Sequence, residues 1–141
     1  MRVRVYLIGI ALLSVACGSN NTGTSPSDTT AASTTERFDA ILAPGGSAFF
    51  SFALTTNNGT VSINLASLSS LTSPGVLAVP MQIGYGVPAG EGCAVQKSIL
   101  VMPALTSQLT ATLRDGTYCA SIADVGNLKA SANFSIRVTH Q

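Results

Sequence analysis

The chain has 141 residues, a formal net charge of +1 and only 9% charged residues. This length suits one domain. So few Lys and Arg residues provide neither the clustered positive charge that nucleic acid requires nor a basic patch for anionic lipid headgroups. The composition therefore predicts a small, weakly charged domain with no nucleic-acid partner.

The first 16 residues are typical of an export signal. Two arginines precede an apolar core, Val5 to Ala16, which is shorter than the about 20 residues that a membrane-spanning helix needs. Small residues then lead to Cys17, as in a bacterial lipobox, although Ser14 stands where leucine is usual. We predict that residues 1–16 are a lipoprotein signal peptide and that Cys17 becomes the lipidated N-terminus, carrying a diacylglyceryl group and palmitate. The alternative is an ordinary secretory signal followed by a chance cysteine.

Residues 17–35 are predicted to be the lipidated cysteine and a flexible Ser/Thr-rich tether. The segment has no large apolar side chain, so it cannot bury enough surface to offset the entropy of ordering. As a coil it would span about 20–25 Å. Gly18, not aspartate, follows the cysteine, and by resemblance to known lipoproteins this favours the outer membrane where the organism has one. We therefore expect a lipid anchor in the cell envelope.

Residues 36–141 are predicted to form an all-β domain. Apolar residues recur at every second position and turn residues separate the runs, which favours an antiparallel β-sandwich or jelly roll of about eight strands. Asn57-Asn58-Gly59 predicts a hairpin. Pro80 predicts that the strand over 77–85 lies at an edge or is bulged. The glycine-rich segment Gly84 to Gly92 is predicted to be a loop.

Cys93 and Cys119 are left as a pair if Cys17 carries the lipid. An oxidising compartment would allow them to form a disulfide, and two free buried cysteines are the alternative. With a single histidine in the chain, the two cysteines make a poor zinc site. We predict no metal and no other cofactor.

Four segments resemble the bacterial pre-peptidase C-terminal domain. They are Leu42 to Phe52 with its Pro-Gly-Gly turn, Gly59 to Leu65, Leu109 to Cys119 with Gly-Thr-Tyr, and Phe134 to Val138. The resemblance implies a β-sandwich module of the kind attached to secreted peptidases and other exported proteins, and it also supports the Cys93–Cys119 pair. We identify no peptidase domain within these 141 residues. Some members bind calcium, but the acidic residues of this chain are scattered, so we carry over no calcium site.

The sequence offers little catalytic chemistry, and we predict that the protein is not an enzyme. His140 is the single histidine, lies next to the last residue and is expected to be frayed. The candidate binding residues are Tyr85 and Glu91 in the Gly84 to Gly92 loop, together with Met81; placement of Tyr85 and Met81 in the core is the alternative. The predicted function is a non-catalytic accessory or binding domain for an envelope protein or glycan. A purely structural envelope lipoprotein and a small extracytoplasmic hydrolase with an unidentified site are the alternatives.

Overall fold

A computed structural model of the chain describes residues 32–73 and 75–141. The predicted signal peptide, Cys17 and the tether up to residue 31 lie outside the described residues. The last residues of the predicted tether already belong to the domain, because the first strand starts at Thr34.

The described residues form two antiparallel four-stranded sheets, which confirms the predicted all-β sandwich of eight strands. Sheet A has the order β1-β8-β3-β6 and sheet B has the order β2-β7-β4-β5. The strands are β1 (Thr34–Leu42), β2 (Ser47–Leu54), β3 (Gly59–Ser70), β4 (Met81–Ala89), β5 (Gly92–Val101), β6 (Leu109–Leu113), β7 (Gly116–Ala123) and β8 (Ala132–His140). Among the described residues, no helix has the length and hydropathy of a membrane span.

The chain alternates between the sheets in the manner of a jelly roll. Every connection except that between β4 and β5 carries the chain from one sheet to the other. The hairpin predicted at Asn57-Asn58-Gly59 is therefore wrong. The turn exists, and Asn58 has a φ of 58°, but it joins β2 of sheet B to β3 of sheet A. The residues specify a reversal of the chain without specifying which sheet the next strand joins.

The core lies between the two sheets and is built from the alternating apolar positions. Side chains that point inward from both sheets are almost completely buried: Val61, Ile63, Leu65, Met81, Ile83, Ile122, Ile136 and Val138. Aromatic contacts join the two sheets at β1 and β2, where the rings of Phe38 and Phe50 stack with centroids 4.7 Å apart. Period-two patterning thus produces one continuous core between the layers.

Two further strand predictions change in the structure. Pro80 lies just before β4, which begins at Met81 and is an interior strand of sheet B. The predicted edge position is wrong, because a proline outside the ladder removes no donor from it. The β4–β5 ladder does contain the other predicted feature, a bulge, but it lies between Tyr85 and Gly86 and not at Pro80. The predicted strand over 105–113 begins only at Leu109. The preceding residues run irregularly beside β3, where the side-chain oxygen of Gln108 accepts the backbone N–H of Leu65 at 2.8 Å.

Candidate binding groove

The β4–β5 hairpin bends over the outer face of sheet B. We call residues 86–96 the arm. Gly84 to Gly92, predicted to be a loop, instead belongs almost entirely to strands, and only Gly90 and Glu91 form the turn. Gly90 has a φ of +59° and Glu91 does not have a positive φ, as expected for the first and second central residues of a type II′ turn. The ladder shifts between Tyr85 and Gly86, leaving Gln96 as an extra residue that bends the hairpin.

Two glycines permit this bend because a side chain at either position would collide with the backbone of β5. A Cβ at Gly86 would lie 2.0 Å from the carbonyl oxygen of Ala94, and a Cβ at Gly84 would lie 2.7 Å from that of Lys97. Glycine inside a strand often marks such a close backbone approach. The same glycines that predicted a loop therefore allow the β4–β5 hairpin to bend over the outer face of sheet B.

The Cys93–Cys119 disulfide fixes the arm in its bent position. It joins β5 to β7, although β4 lies between these strands in the sheet, and the two Cα atoms are 6.0 Å apart. Neighbouring strands are spaced about 4.8 Å apart, so strands on either side of a third are about 10 Å apart in a flat sheet. Cys119 points outward from β7, yet it has no exposed surface. The predicted disulfide is thus present, and it clamps the arm over the sheet.

The bent arm creates a groove of about 640 Å³ on the outer face of sheet B. One side is formed by the arm, and the other by the start of β2. The floor is formed by β4 and β7. The lining residues are Ser47, Ala48, Phe49, Gln82, Glu91, Gly92, Cys93, Val95, Ser98, Ser121, Ile122 and Ala123. A volume of this size falls within the range of small-molecule sites.

The chemistry of the groove is that of hydrogen bonding beside one aromatic ring. Ser47, Ser98 and Ser121 contribute hydroxyl groups, and the side-chain amide of Gln82 donates to Ser98 Oγ at 2.8 Å. Phe49 is 37% exposed. Glu91 is the only ionisable side chain in the lining of this groove as the described residues form it. Such a lining can hold a polar, uncharged or singly basic group against an aromatic surface.

The structure separates the two residues predicted to form a binding loop. Glu91 is exposed at the tip of the arm and lines the groove. Tyr85 instead points inward from β4, is half-buried and packs against the core, and Met81 is completely buried. The structure therefore favours the alternative reading of Tyr85 and Met81 as core residues. Phe49 was not singled out from the sequence because it lies in a run of aromatic residues that resembles core.

His140 is ordered in β8, so the predicted frayed end is wrong. It pairs with Thr34 of β1 and with Val61 of β3, and it is 8% exposed. Its Nε2 atom lies 2.8 Å from a carboxylate oxygen of Glu36. Because β8 is an interior strand of sheet A, its last residue is held on both sides, and His140 lies in the sandwich and not in the groove.

Asp124 is a buried residue that the sequence reading did not identify. One of its carboxylate oxygens accepts the backbone N–H of Gly45 at 2.8 Å, and the other accepts those of Gly126, Asn127 and Leu128 at 2.8–3.1 Å. Burial by itself raises the pKa of Asp124, but the backbone donors together outweigh it and lower the pKa below its ordinary value. The side chain ties the β1–β2 turn to the β7–β8 connection.

No metal-binding group of three or more His, Cys, Asp or Glu side chains occurs among residues 32–73 and 75–141. Within the same residues, one buried side-chain atom, Ser135 Oγ, has no hydrogen-bond partner. It lies opposite Asp39 on the outer face of sheet A.

Comparison with known proteins gives only distant structural similarity. No family model matches the chain. No curated protein matches it either. Among solved structures, the periplasmic g-type lysozyme inhibitor PliG of Aeromonas hydrophila is 9% identical with a TM-score of 0.47, over 76% of this chain and 86% of that one.

Two other solved structures show similar scores. PliG of Salmonella Typhimurium is 13% identical with a TM-score of 0.47, over 76% of this chain and 87% of that one. The disulfide-linked pili of Bacillus endospore appendages give 12% identity and a TM-score of 0.41, over 78% and 87%. These values do not establish a shared function or a shared partner.

Proposed function

We propose that this chain is a lipid-anchored protein of the cell envelope whose β-sandwich is a non-catalytic binding domain for a protein or glycan partner. The observation that carries the binding role is the groove on sheet B. One wall of the groove is the arm, which is bent, contains a bulge and is held by a disulfide. The core contains no residue of the arm, so none of these features is needed to form it. A preformed, rigid wall lowers the entropy cost of binding.

The lining of the groove supports recognition and not catalysis. Its polar groups are serine hydroxyls, one amide and the Glu91 carboxylate, and nucleophilic catalysis would require a base held against a hydroxyl. His140, the single histidine of the chain, is held in sheet A beside Glu36. A hydroxyl- and amide-lined groove with one aromatic ring suits the hydrogen-bonding surface of a peptide or a sugar.

The envelope location is supported by the sequence and by the disulfide. The segment before Cys17 matches an export signal with a lipobox, and disulfides persist in oxidising compartments outside the cytoplasm. The resemblance to the pre-peptidase C-terminal module is compatible with an accessory role. In this proposal a mature chain starts at lipidated Cys17, and the domain works close to the membrane surface.

The binding role is tested by capturing partners from envelope extracts with the full detergent-solubilised chain. Phe49→Ala removes the aromatic wall of the groove, while Ile41→Ala, at an exposed apolar position of sheet A, is the matched control. We expect the wild type and Ile41→Ala to retain the same protein or glycan and Phe49→Ala to lose most of it. Equal capture by both variants, or no specific capture, would contradict the role of the groove.

The anchor is tested separately by intact-mass analysis of the membrane fraction. The expected mature chain begins at Cys17 and carries acyl groups, and Cys17→Ser should abolish the lipid mass. A mature chain that begins elsewhere with a free thiol at Cys17 would reject lipidation and leave the binding role of the domain open to the capture experiment.

A further inference from the structure

Within residues 32–73 and 75–141, one of the four edge strands lacks every common protection against pairing with another chain. Sheet A ends in β1 and β6, and sheet B ends in β2 and β5. Natural sheets protect such edges with charged residues, prolines, bulges or very short strands, because the free N–H and C=O groups otherwise accept a further strand. The edges of this domain differ sharply in these features.

Three edges are protected. β1 contains Glu36, Arg37 and Asp39 within nine residues. β5 contains Lys97, which lies opposite the inward-pointing Tyr85, and the bulge at Gln96. β6 has only five residues. Charge, irregular pairing and short length therefore each block one edge.

β2 has none of these protections. Its eight residues, Ser-Ala-Phe-Phe-Ser-Phe-Ala-Leu, include no charge and no proline, and its register with β7 continues without a shift from Ser47 to Leu54. No Asp, Glu, Lys, Arg or His occurs between Asp39 and Glu91. Neighbouring residues in the chain therefore supply no charge to this edge either.

The free side of β2 is open in the described part of the chain. Backbone hydrogen bonds outside the regular ladders involve the adjacent Gly46 but no residue of β2. The outward residues Ser47, Phe49, Ser51 and Ala53 are all exposed. A regular, uncharged and exposed edge of this length is the geometry in which strand addition occurs.

We propose that β2 pairs antiparallel with β2 of a second copy of this chain, so that sheet B continues across a twofold axis. With Phe50 opposite its own counterpart, Phe49 lies opposite Ser51 and Ser47 lies opposite Ala53, which sets small side chains against the exposed ring. This register keeps inward residues inward. Because β2 carries no charge, self-pairing brings no like charges together.

The self-complementary pattern is what selects a second copy as the occupant. In a twofold interface residue i contacts residue j while j contacts i. On the outer face of β2 only Phe49 is large, and pairing about Phe50 places the small Ser51 opposite it in both halves of the interface. The proposal does not rest on the partner of the groove. It adds a dimer interface that shares Phe49 with the lining of the groove.

Sedimentation of the full chain in detergent tests the dimer. Ser51→Lys places a charge on the free edge of β2, and Thr112→Lys places the same charge at an exposed outward position of β6. We expect wild type and Thr112→Lys to sediment at twice the protomer mass and Ser51→Lys to sediment as a monomer. A monomeric wild type, or a dimer that survives Ser51→Lys, would overturn the proposal.

Cross-linking in membranes tests the register without relying on the folding of the lysine variant. Two differently tagged full chains, one with Phe49→Cys and one with Ser51→Cys, are co-expressed and oxidised. The expected product is a disulfide between the two tags, and a Thr112→Cys chain paired with Phe49→Cys is the control that should not cross-link. Absence of the mixed product, or cross-linking to a different protein, would overturn self-pairing.

Discussion

The outer faces of the two sheets are built on the same alternating pattern but have different shapes. In the described residues, the outer face of sheet A carries mostly polar side chains, the exposed Ile41 and one exposed ion pair, in which Arg37 Nε lies 2.9 Å from an Asp39 oxygen. Sheet B presents two closely covered glycines, a bulge and a disulfide. The core between the two sheets includes no residue of the arm. The difference teaches that the core does not require the bent arm. Residues that shape the outer face of sheet B can therefore be substituted without changing the residues that build the core.

Removal of the disulfide should have the largest effect on stability. The Cys93→Ala/Cys119→Ala double variant releases a loop of 26-residue sequence separation, for which the chain-entropy model gives a loss of about 3.5 kcal/mol. Urea unfolding measures the loss. If the arm is held by packing alone, the double variant will unfold at the same urea concentration as the wild type, and the clamp interpretation fails.

Gly86→Ala should have the next largest effect. The added methyl group would lie 2.0 Å from the Ala94 carbonyl oxygen, so the arm must move, at a cost of about 3 kcal/mol, near the upper end for overpacking. The matched control is Gly75→Ala, which meets no atom within 4 Å and should stay within about 0.5 kcal/mol of the wild type. Equal unfolding midpoints for the two variants would show that sheet B does not need the close approach.

Asp124→Asn should lower the free energy of unfolding by about 2 kcal/mol at neutral pH, which is the scale of hydrogen bonds to a charged group. The affected region is the end of the sandwich where Asp124 ties the β1–β2 turn to the β7–β8 connection. Since the folded-state pKa of Asp124 lies below its ordinary value of 3.8, the carboxylate stabilises the fold above that value, and the stabilisation is lost as the pH falls through the folded-state pKa.

The pH dependence of Asp124 is measured by urea unfolding of wild type and Asp124→Asn between neutral pH and about pH 3. The difference between the two proteins should shrink as the pH falls. A difference that stays constant across this range would mean that the charge on Asp124 contributes nothing and that only the geometry of its hydrogen bonds matters.

Arg37→Ala should have the smallest effect. Both side chains of the Arg37–Asp39 pair are more than half exposed, and exposed pairs contribute about 0–1 kcal/mol because water and salt screen them. Thermal unfolding at low and high salt measures this. A loss comparable to that of Gly86→Ala would show that the outer face of sheet A is as important for stability as that of sheet B.

The sequence was informative wherever the signal is local. Alternation predicted the inward residues of β3 and β8, and the turn residues near Pro44 and Asn58 marked real reversals of the chain. The pairing of Cys93 with Cys119 followed from the number of cysteines and the expected compartment. These features depend on near neighbours or on counting, so a single sequence contains them.

The groove could not be predicted because it depends on distant residues meeting. The sequence around Gly84 and Gly86 looks the same whether these glycines lie in a loop or in a strand covered by the arm. Only the positions of Ala94 and Lys97 in the folded chain distinguish a loop from a covered strand. Asp124 likewise resembles any solvated aspartate until the β1–β2 turn is brought against it. His140 looked frayed because sequence position does not reveal that β8 is an interior strand.

The place of β8 in sheet A also determines when the domain can fold. β8 is the last strand to be synthesised and lies between β1, the first, and β3. The ladder of sheet A therefore cannot close until the end of the domain is available, and nearly all strand pairs join distant parts of the chain, which slows folding. Sheet B and the β3–β6 pair can form earlier, but until β8 is made β1 has no partner strand and one side of β3 stays unpaired.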